Sequence, residues 1–381
     1  MGKESMSRFG TFFVQLECFN YSPGQQVNGT VMLDLRANFP SSNITIKLEG
    51  KEKTKFWKSR QVYSHTDSEG RTHYRTEWYP VFGRHRVLNY EFPIAAFNGG
   101  FVPAGQYQLP FSFQLPSGIP NTFHKKWTDY SDCYAKIHYE LKSKLESGHG
   151  KELLKFKQPF TINNSLSAPI KSKAVKVDKE VVCFCCCSKG RVKLNSFFEK
   201  NAYQPGETCF MVAEVENETS VKINHLKAVF FQHINVTANG WWGEQSKSWN
   251  HNLSTKNGSS FEPKTSKVGE NAERIQVNLG NLAIKGGEDA GEVGGFNTTT
   301  KGRLIQCDYF VSAVCDMDTC ICCDEHPNAT ISVEIYNDPK PTVVQFVAPP
   351  GWAPTQYDMY TANLNSQFKC NDPDYAHEMH P

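Results

Sequence analysis

The chain makes the same local statement twice. Near its start stands NYSPGQQVNGTVMLDLR and, 182 residues later, NAYQPGETCFMVAEVEN, so that Tyr21-Ser22-Pro23-Gly24 is matched by Tyr203-Gln204-Pro205-Gly206. In each copy Pro presets φ and Gly supplies the positive-φ corner of a tight turn. An alternating run follows each turn. Val31, Leu33 and Leu35 share one face against Thr30, Met32, Asp34 and Arg36; Met211, Ala213 and Val215 share one face against Val212, Glu214 and Glu216. Period-two alternation marks a half-buried strand. A solenoid would repeat every ~20–50 residues. A unit recurring at domain-sized spacing points instead to a duplicated β domain.

Other runs repeat the pattern. Phe12, Val14, Leu16 and Cys18 alternate with polar neighbours, as do Ile44, Ile46 and Leu48, then Leu109, Phe111, Phe113 and Leu115. In YAKIHYELKSKLE the apolar face is Ala135, Ile137, Tyr139 and Leu141, and the polar face carries Lys136, His138, Glu140, Lys142 and Lys144. Many short strands punctuated by Gly and Pro read as sandwiches, and 381 residues leave room for two cores. No convincing amphipathic helix is found. No apolar run approaches the roughly 20 residues that span a bilayer. The opening MGKESMSRFG has no apolar core behind its charges, so no secretory signal is expected, and Met6 stands where a myristoylation motif has Ser or Thr.

These readings give an all-β chain of two tandem immunoglobulin-like β-sandwiches. The first is expected over 1–165, a small, polar, basic linker over 166–180, and the second sandwich over 181–347. Within the second, 237–301 reads as a long polar insertion in which only ERIQVNLGNLAI has a strand pattern. The Pro-, Asn- and Asp-rich 348–381 reads as a flexible, disordered tail.

The ordered set of motifs resembles the arrestin family, and its arrestin-domain-containing (α-arrestin) branch in particular. In the first half the set is YSPGQQVNGTVMLDL, IKLEGKEKTKFW, FVPAGQYQLPFSFQLPSGIPNTF and CYAKIHYELKSKLE. In the second it is CFCCCSKGRVKLNSFFEKNAYQPGE and IQCDYFVSAVCDM. The resemblance covers about 10–350. It implies two arrestin-type sandwiches and the use of the chain as an adaptor. Such proteins bind cytoplasmic, often phosphorylated, regions of membrane receptors or transporters and link them to endocytic, sorting or ubiquitination machinery. It therefore implies a cytoplasmic protein, peripheral at the plasma membrane or endosomes. Two family features are missing. The PPxY motif read by WW domains is approached only by NDPDY, where Pro373 and Tyr375 stand but Asp372 replaces the first proline. The paired lysines that receptor-type arrestins place in their first strand are absent from RFGTFFVQLECF.

Charge is unevenly spread. Residues 1–170 hold 21 Lys+Arg against 14 Asp+Glu, and residues 171–381 hold 20 against 25. The basic half is where acidic or phosphorylated partners, or an anionic membrane surface, are expected. The candidate cargo- or phosphate-binding residues are Lys51, Lys53, Lys55, Lys58 and Arg60 after a strand, Lys125 and Lys126 after a Pro-rich turn, and Lys142 and Lys144 on a polar strand face. Phosphate is held by such charge-assisted donors; the bland alternative is a solvated surface with charges spread for solubility. Nucleic acid is not expected, since no recognition motif is present and the first half is not extremely basic.

Of the thirteen cysteines, eight cluster in two places, Cys183, Cys185, Cys186 and Cys187, then Cys315, Cys320, Cys322 and Cys323. Three readings stay open. The spacings do not fit a simple zinc finger, yet two strands of one sandwich can bring the clusters together, with Glu325-His326 beside the second. The Cys-Phe-Cys-Cys-Cys run also suits S-palmitoylation, and reduced thiols also pack as small hydrophobes. Apart from zinc at these clusters, no cofactor is expected. Walker A, G-x-S-x-G and H-E-x-x-H motifs are absent, so neither an enzyme nor a small-molecule substrate is expected. Two other classes remain: a constitutive coat scaffold like the retromer subunit of similar fold, and a regulator that responds to metal or redox state through its cysteine clusters.

Overall fold

The computed structural model describes residues 5–7, 9–41, 43–127, 132–147, 153–183, 187–240, 243–279, 297–318, 325–338, 351–362 and 364. The first domain contains β1 (Ser5–Ser7), β2 (Gly10–Leu16), β3 (Asn20–Tyr21), β4 (Gln26–Leu35), β5 (Asn43–Thr66), β6 (Thr72–Ala96), β7 (Gly105–Gln114), β8 (Phe123–Trp127), β9 (Cys133–Glu146) and β10 (Leu153–Ile162). The second contains β11 (Lys173–Cys183), β12 (Cys187–Phe198), β13 (Ala202–Tyr203), β14 (Thr208–Asn217), β15 (Ile223–Gly240), β16 (Gly243–Asn257), β17 (Thr265–Lys267), β18 (Glu273–Asn278), β19 (Thr300–Lys301), β20 (Ile305–Met317) and β21 (Asn328–Ile335). Two short strands follow, β22 (Thr355–Gln356) and β23 (Tyr360–Ala362).

Each domain is two sheets face to face. In the first, β1-β2-β4-β7 packs on β6-β5-β9-β10; in the second, β11-β12-β14 packs on β21-β20-β15-β16. The inward alternation read from the sequence forms the cores: Val31, Leu33, Phe111, Ile46 and Ile137 in one, Met211, Ala213 and Val215 in the other, all buried. One sheet of each domain joins the other through β15 and β6, where Asn239 stands opposite Phe82.

The duplication is visible atom by atom. Gly24 and Gly206 take φ of 78° and 93°, the conformation each Pro-Gly turn demands. Gln25 N–H donates to Ser22 O and Glu207 N–H to Gln204 O, both at 3.1 Å. Ahead of each turn a fully buried tyrosine sits on a two-residue strand that runs parallel to its domain's last long strand. Tyr21 stands opposite Ile162 and Tyr203 opposite Ile335.

Three boundaries differ from the sequence reading. The second half of the expected linker is strand: β11 begins at Lys173 and pairs with β12 along its whole length. The stretch read as a polar insertion over 237–301 contains β16, β17 and β18. β16 has little apolar alternation of its own because its ladder to β15 holds it, from Lys227 opposite Asn257 to Gly240 opposite Gly243. Part of the segment read as a flexible tail is docked, with β22 and β23 parallel to β7. Tyr360 stacks on Phe92 at 5.9 Å, and Tyr357 meets Phe97 edge-on at the same distance. Aromatic contacts replace alternation as the signal there.

Candidate anion-binding face

The register of β6, β5, β9 and β8 decides which charges meet. Directly opposed residues of antiparallel strands project to the same face. Lys53 stands opposite Arg84 on β6 and Lys136 on β9, and Lys136 stands opposite His124 on β8. One row is therefore Arg84, Lys53, Lys136, His124. The next, two residues along, is Arg86, Lys51, His138. On the other side lie Phe82, Lys55, Tyr134 and Lys126. Cations from four strands thus stack on one outward face. Among the described residues neither Arg84 nor Lys136 has an acidic partner.

Glu49 bounds this face. Its carboxylate contacts Lys51 at 2.6 Å and Lys47 at 3.2 Å, and is also bonded to Lys142. Burial alone would raise its pKa, but the hydrogen bonds from Lys142, Lys51 and Lys47 outweigh burial and hold the carboxyl well below the usual range. Lys142 is raised, burial being outweighed by bonds to Glu49 and Glu140.

The opposite face of the same strands is a polar junction with the second domain. Glu52 is 1% exposed and accepts the Leu304 N–H at 2.7 Å and the Arg303 N–H at 3.0 Å. Burial is the dominant influence and pushes its pKa up in spite of those bonds. Gly302 lies against the carboxylate so closely that a Cβ there would come within 2.7 Å of it. Beside it Thr54 Oγ1 donates to Thr237 O at 2.7 Å. Buried Asn121 bonds Thr298, Thr299 and Thr300, His124 N–H donates to Asn297, and Trp127 stacks on Trp249 at 4.1 Å.

Of the nine cations singled out from the sequence, the structure brings Lys51, Lys53, Lys55 and Lys126 together. Lys55 also lies 3.6 Å from Asp132 and over the Phe82 ring. Lys58 and Arg60 lie further along the β5–β6 ribbon, Lys58 over Phe56 and Arg60 paired with Glu77 at 3.1 Å. Lys142 and Lys144 are occupied by acids, Lys142 by Glu49 and Glu140 and Lys144 by Glu91 and Glu146. Lys125 is a correction. It is 8% exposed and opposes Ala135 on the inward face. Phe123, Lys125 and Trp127 alternate inward together, a signal that was present in FHKKW. The sequence reading passed over Arg84, Arg86, Lys136, His138 and His124. Lys136 and His138 stood on the polar side of a recognised alternation; the arginines of GRHR gain their meaning only from register with β5.

The cysteine clusters are described in part. Cys183 is buried and Cys187, its partner across the β11–β12 turn, is exposed. Cys185, Cys186, Cys320, Cys322 and Cys323, like Pro373 and Tyr375, lie outside the described residues. Burial pushes the Cys315 thiol up to about 12. Among the described residues no group of three or more His, Cys, Asp or Glu is placed to hold a metal, and no helix is long and apolar enough to cross a membrane.

Two sandwiches opened by the same Tyr–Pro–Gly turn, joined at a polar junction and presenting a cationic sheet face, define a duplicated β-sandwich protein of arrestin type. Comparison with known families agrees. Residues 11–167 match the Arrestin (or S-antigen), N-terminal domain, and residues 188–340 match the Arrestin (or S-antigen), C-terminal domain. The chain belongs to the arrestin family. It is similar to arrestin domain-containing protein A of Dictyostelium discoideum, 30% identical over 213 residues, 55% of this chain and 35% of that protein. It is also similar to Caenorhabditis elegans arrestin domain-containing protein 17, 27% identical over 52% of this chain and 46% of the relative. With human arrestin domain-containing protein 5 it shares 22% identity over 56% of this chain and 58% of the relative. The matched stretches thus span less than two thirds of these relatives.

Proposed function

We propose that this chain is a non-enzymatic trafficking adaptor. Its Arg84–Lys53–Lys136 face binds acidic or phosphorylated cytoplasmic segments of membrane receptors or transporters, and the bound cargo is linked to endocytic, sorting or ubiquitination machinery. The observation that carries this reading is the in-register row of cations, two of which lack an acidic partner among the described residues. Neighbouring lysines on the same strands are already neutralised by Glu49, Glu91 and Glu140. A solvated surface has no need to sort its charges this way; a site for a polyanion does. The adaptor works at the cytoplasmic surface of the plasma membrane or endosomes.

Proximity labelling in the cell, with the wild-type chain and with Lys53→Glu/Lys136→Glu, tests the reading. Receptors or transporters together with endocytic or ubiquitin-ligase proteins should be enriched by the wild type, and the cargo should be lost from the variant. Cargo enrichment equal in both sinks the site. A small fixed set of coat subunits without cargo replaces the adaptor by a scaffold.

A further inference from the structure

The β5–β6 ribbon outruns the sandwich. The ladder of β5 to β9 ends with Lys55 opposite Tyr134, whereas the ladder of β5 to β6 continues to Thr66 opposite Thr72. The outer part of the ribbon is therefore an arm of two strands with two faces. The base of one face rests on β16. Phe56 meets Trp249 edge-on at 6.4 Å, and Gln245 donates to the Tyr79 hydroxyl at 3.4 Å. Further out, this face carries Arg60 and Arg75, both paired with Glu77.

The other face is open. Trp57 stands opposite Pro80, Ser59 opposite Trp78, Gln61 opposite Thr76 and Tyr63 opposite Tyr74. Tyr63 is 57% exposed, and Tyr74 and Trp78 are each 63% exposed. Alternate residues of a strand share a face. The strip thus runs without a bulge from Tyr63–Tyr74 into the pairs Lys55–Phe82, Lys53–Arg84 and Lys51–Arg86. From Lys51 to Tyr63 and from Tyr74 to Arg86 it contains no acid, because Glu52 and Glu77 both point the other way. It contains no aliphatic side chain besides Pro80, because Val62 and Val81 also point the other way.

We propose that this strip is a contact surface for a bilayer with anionic headgroups. Tyr63, Tyr74 and Trp78 enter the headgroup layer, and Lys53 and Arg84 at the base of the arm meet lipid phosphates. The inference goes beyond the reading of the cationic face as a peptide site. Large apolar side chains grouped in the open mark a contact surface. Tyr and Trp, apolar in the body and polar at the tip, are the rings that a headgroup layer takes. An anionic surface attracts cations and repels acids, and the strip has cations at one end and acids nowhere. Apolar area and charge add in such attachment, and here one face supplies both.

The test is co-sedimentation of the whole chain with vesicles of phosphatidylcholine, alone or with about three parts in ten of phosphatidylserine. The anionic vesicles should bind at least about tenfold more tightly, since each of two cations near the surface is worth about fivefold. Trp78→Ser/Tyr74→Ser, on exposed positions outside the core, should lose about tenfold or more of that affinity and keep the affinity for a phosphopeptide. Lipids brominated on their acyl chains should quench the wild type more than Trp78→Phe, which keeps a ring on the strip and still binds. Equal quenching of the two puts Trp78 outside the bilayer and overturns the proposal. So does binding that survives Trp78→Ser/Tyr74→Ser, because charge alone then suffices. Equal affinity for the two vesicles overturns the anionic class of surface. Sedimentation with neither overturns the membrane and leaves the strip to a protein partner. The phosphopeptide affinity of the same variants reads the peptide site separately, so either proposal can fail alone.

Discussion

Glu49 and Glu52 stand three residues apart on β5 and have opposite fates. Both are buried, at 6% and 1% exposure. Glu49 points to the outer face, where three lysines surround it and hold it ionised. Glu52 points to the domain junction, where burial works against its charge and outweighs the backbone N–H groups and the Arg303 charge that answer it. The alternation of one strand thus gives the protein a charged outer surface and a polar inner joint. What separates the two glutamates is the compensation each receives, because a buried carboxylate among cations keeps its charge and one among amides is driven towards neutrality.

The largest way to break this contrast is at the junction. Glu52→Ala leaves the Arg303 and Leu304 N–H groups buried and unmet, and should cost about 3 kcal/mol of stability, seen as a lower denaturant midpoint. Glu52→Gln removes the unwelcome charge and keeps an acceptor for one of the two N–H groups, but turns its amide NH2 to the other, so it should cost less than Glu52→Ala. A Glu52→Gln loss as large as that of Glu52→Ala would show that one acceptor is not enough to hold the junction.

Glu49→Gln comes next. It leaves Lys47, Lys51 and Lys142 without their shared anion and should cost about 2 kcal/mol. It should also tighten acidic-peptide binding severalfold, because Lys51 shares a row with Arg86 and His138. Stability and affinity moving in the same direction would place Glu49 outside the cationic face.

pH sharpens the comparison because the two shifts have opposite sign. The Glu49 carboxyl is lowered in the fold, so its contribution is complete above the ordinary glutamate value of about 4.5 and is lost as pH falls below it. Glu52 is raised, so its contribution is complete below that value and is lost as pH rises through its folded pKa. Wild type should therefore lose its advantage over Glu49→Gln on acidification from pH 5, and Glu52→Gln should gain on wild type as pH rises from 4. Parallel pH curves for the two variants would contradict the assignment.

Both sides of β5 were legible in advance only as far as a local pattern reaches. The cores could be read because their rule is local: Ile44, Ile46 and Leu48 alternate within one segment, and the Tyr–Pro–Gly turn announces each domain. Lys51, Lys53 and Lys55 were legible for the same reason. Arg84 became part of the face only through a hairpin register carrying a bulge between Gly50 and Lys51. Glu52 acquired its meaning from amides about 250 residues away, which no local pattern contains. β16 escaped notice because its order comes from the partner strand. Lys125 was misplaced although its own alternation with Phe123 and Trp127 pointed inward.

The smallest effect on stability is the one that most isolates function. Arg84 is exposed, Lys136 is half-buried, and neither has an acidic partner among the described residues, so neither contributes an ion pair to the fold. Arg84→Gln/Lys136→Gln should shift stability by no more than about 0.5 kcal/mol, the usual range for surface changes. Removing two cations from their row should still weaken phosphopeptide binding by an order of magnitude at low salt, and by less as ionic strength shortens the screening length. Calorimetry of folding and of binding on the same variant settles whether the two properties separate. If both fall together, the outer face is a structural surface like the one around Glu49. If only binding falls, the strand that buries Glu52 to join the domains turns its other side to a ligand.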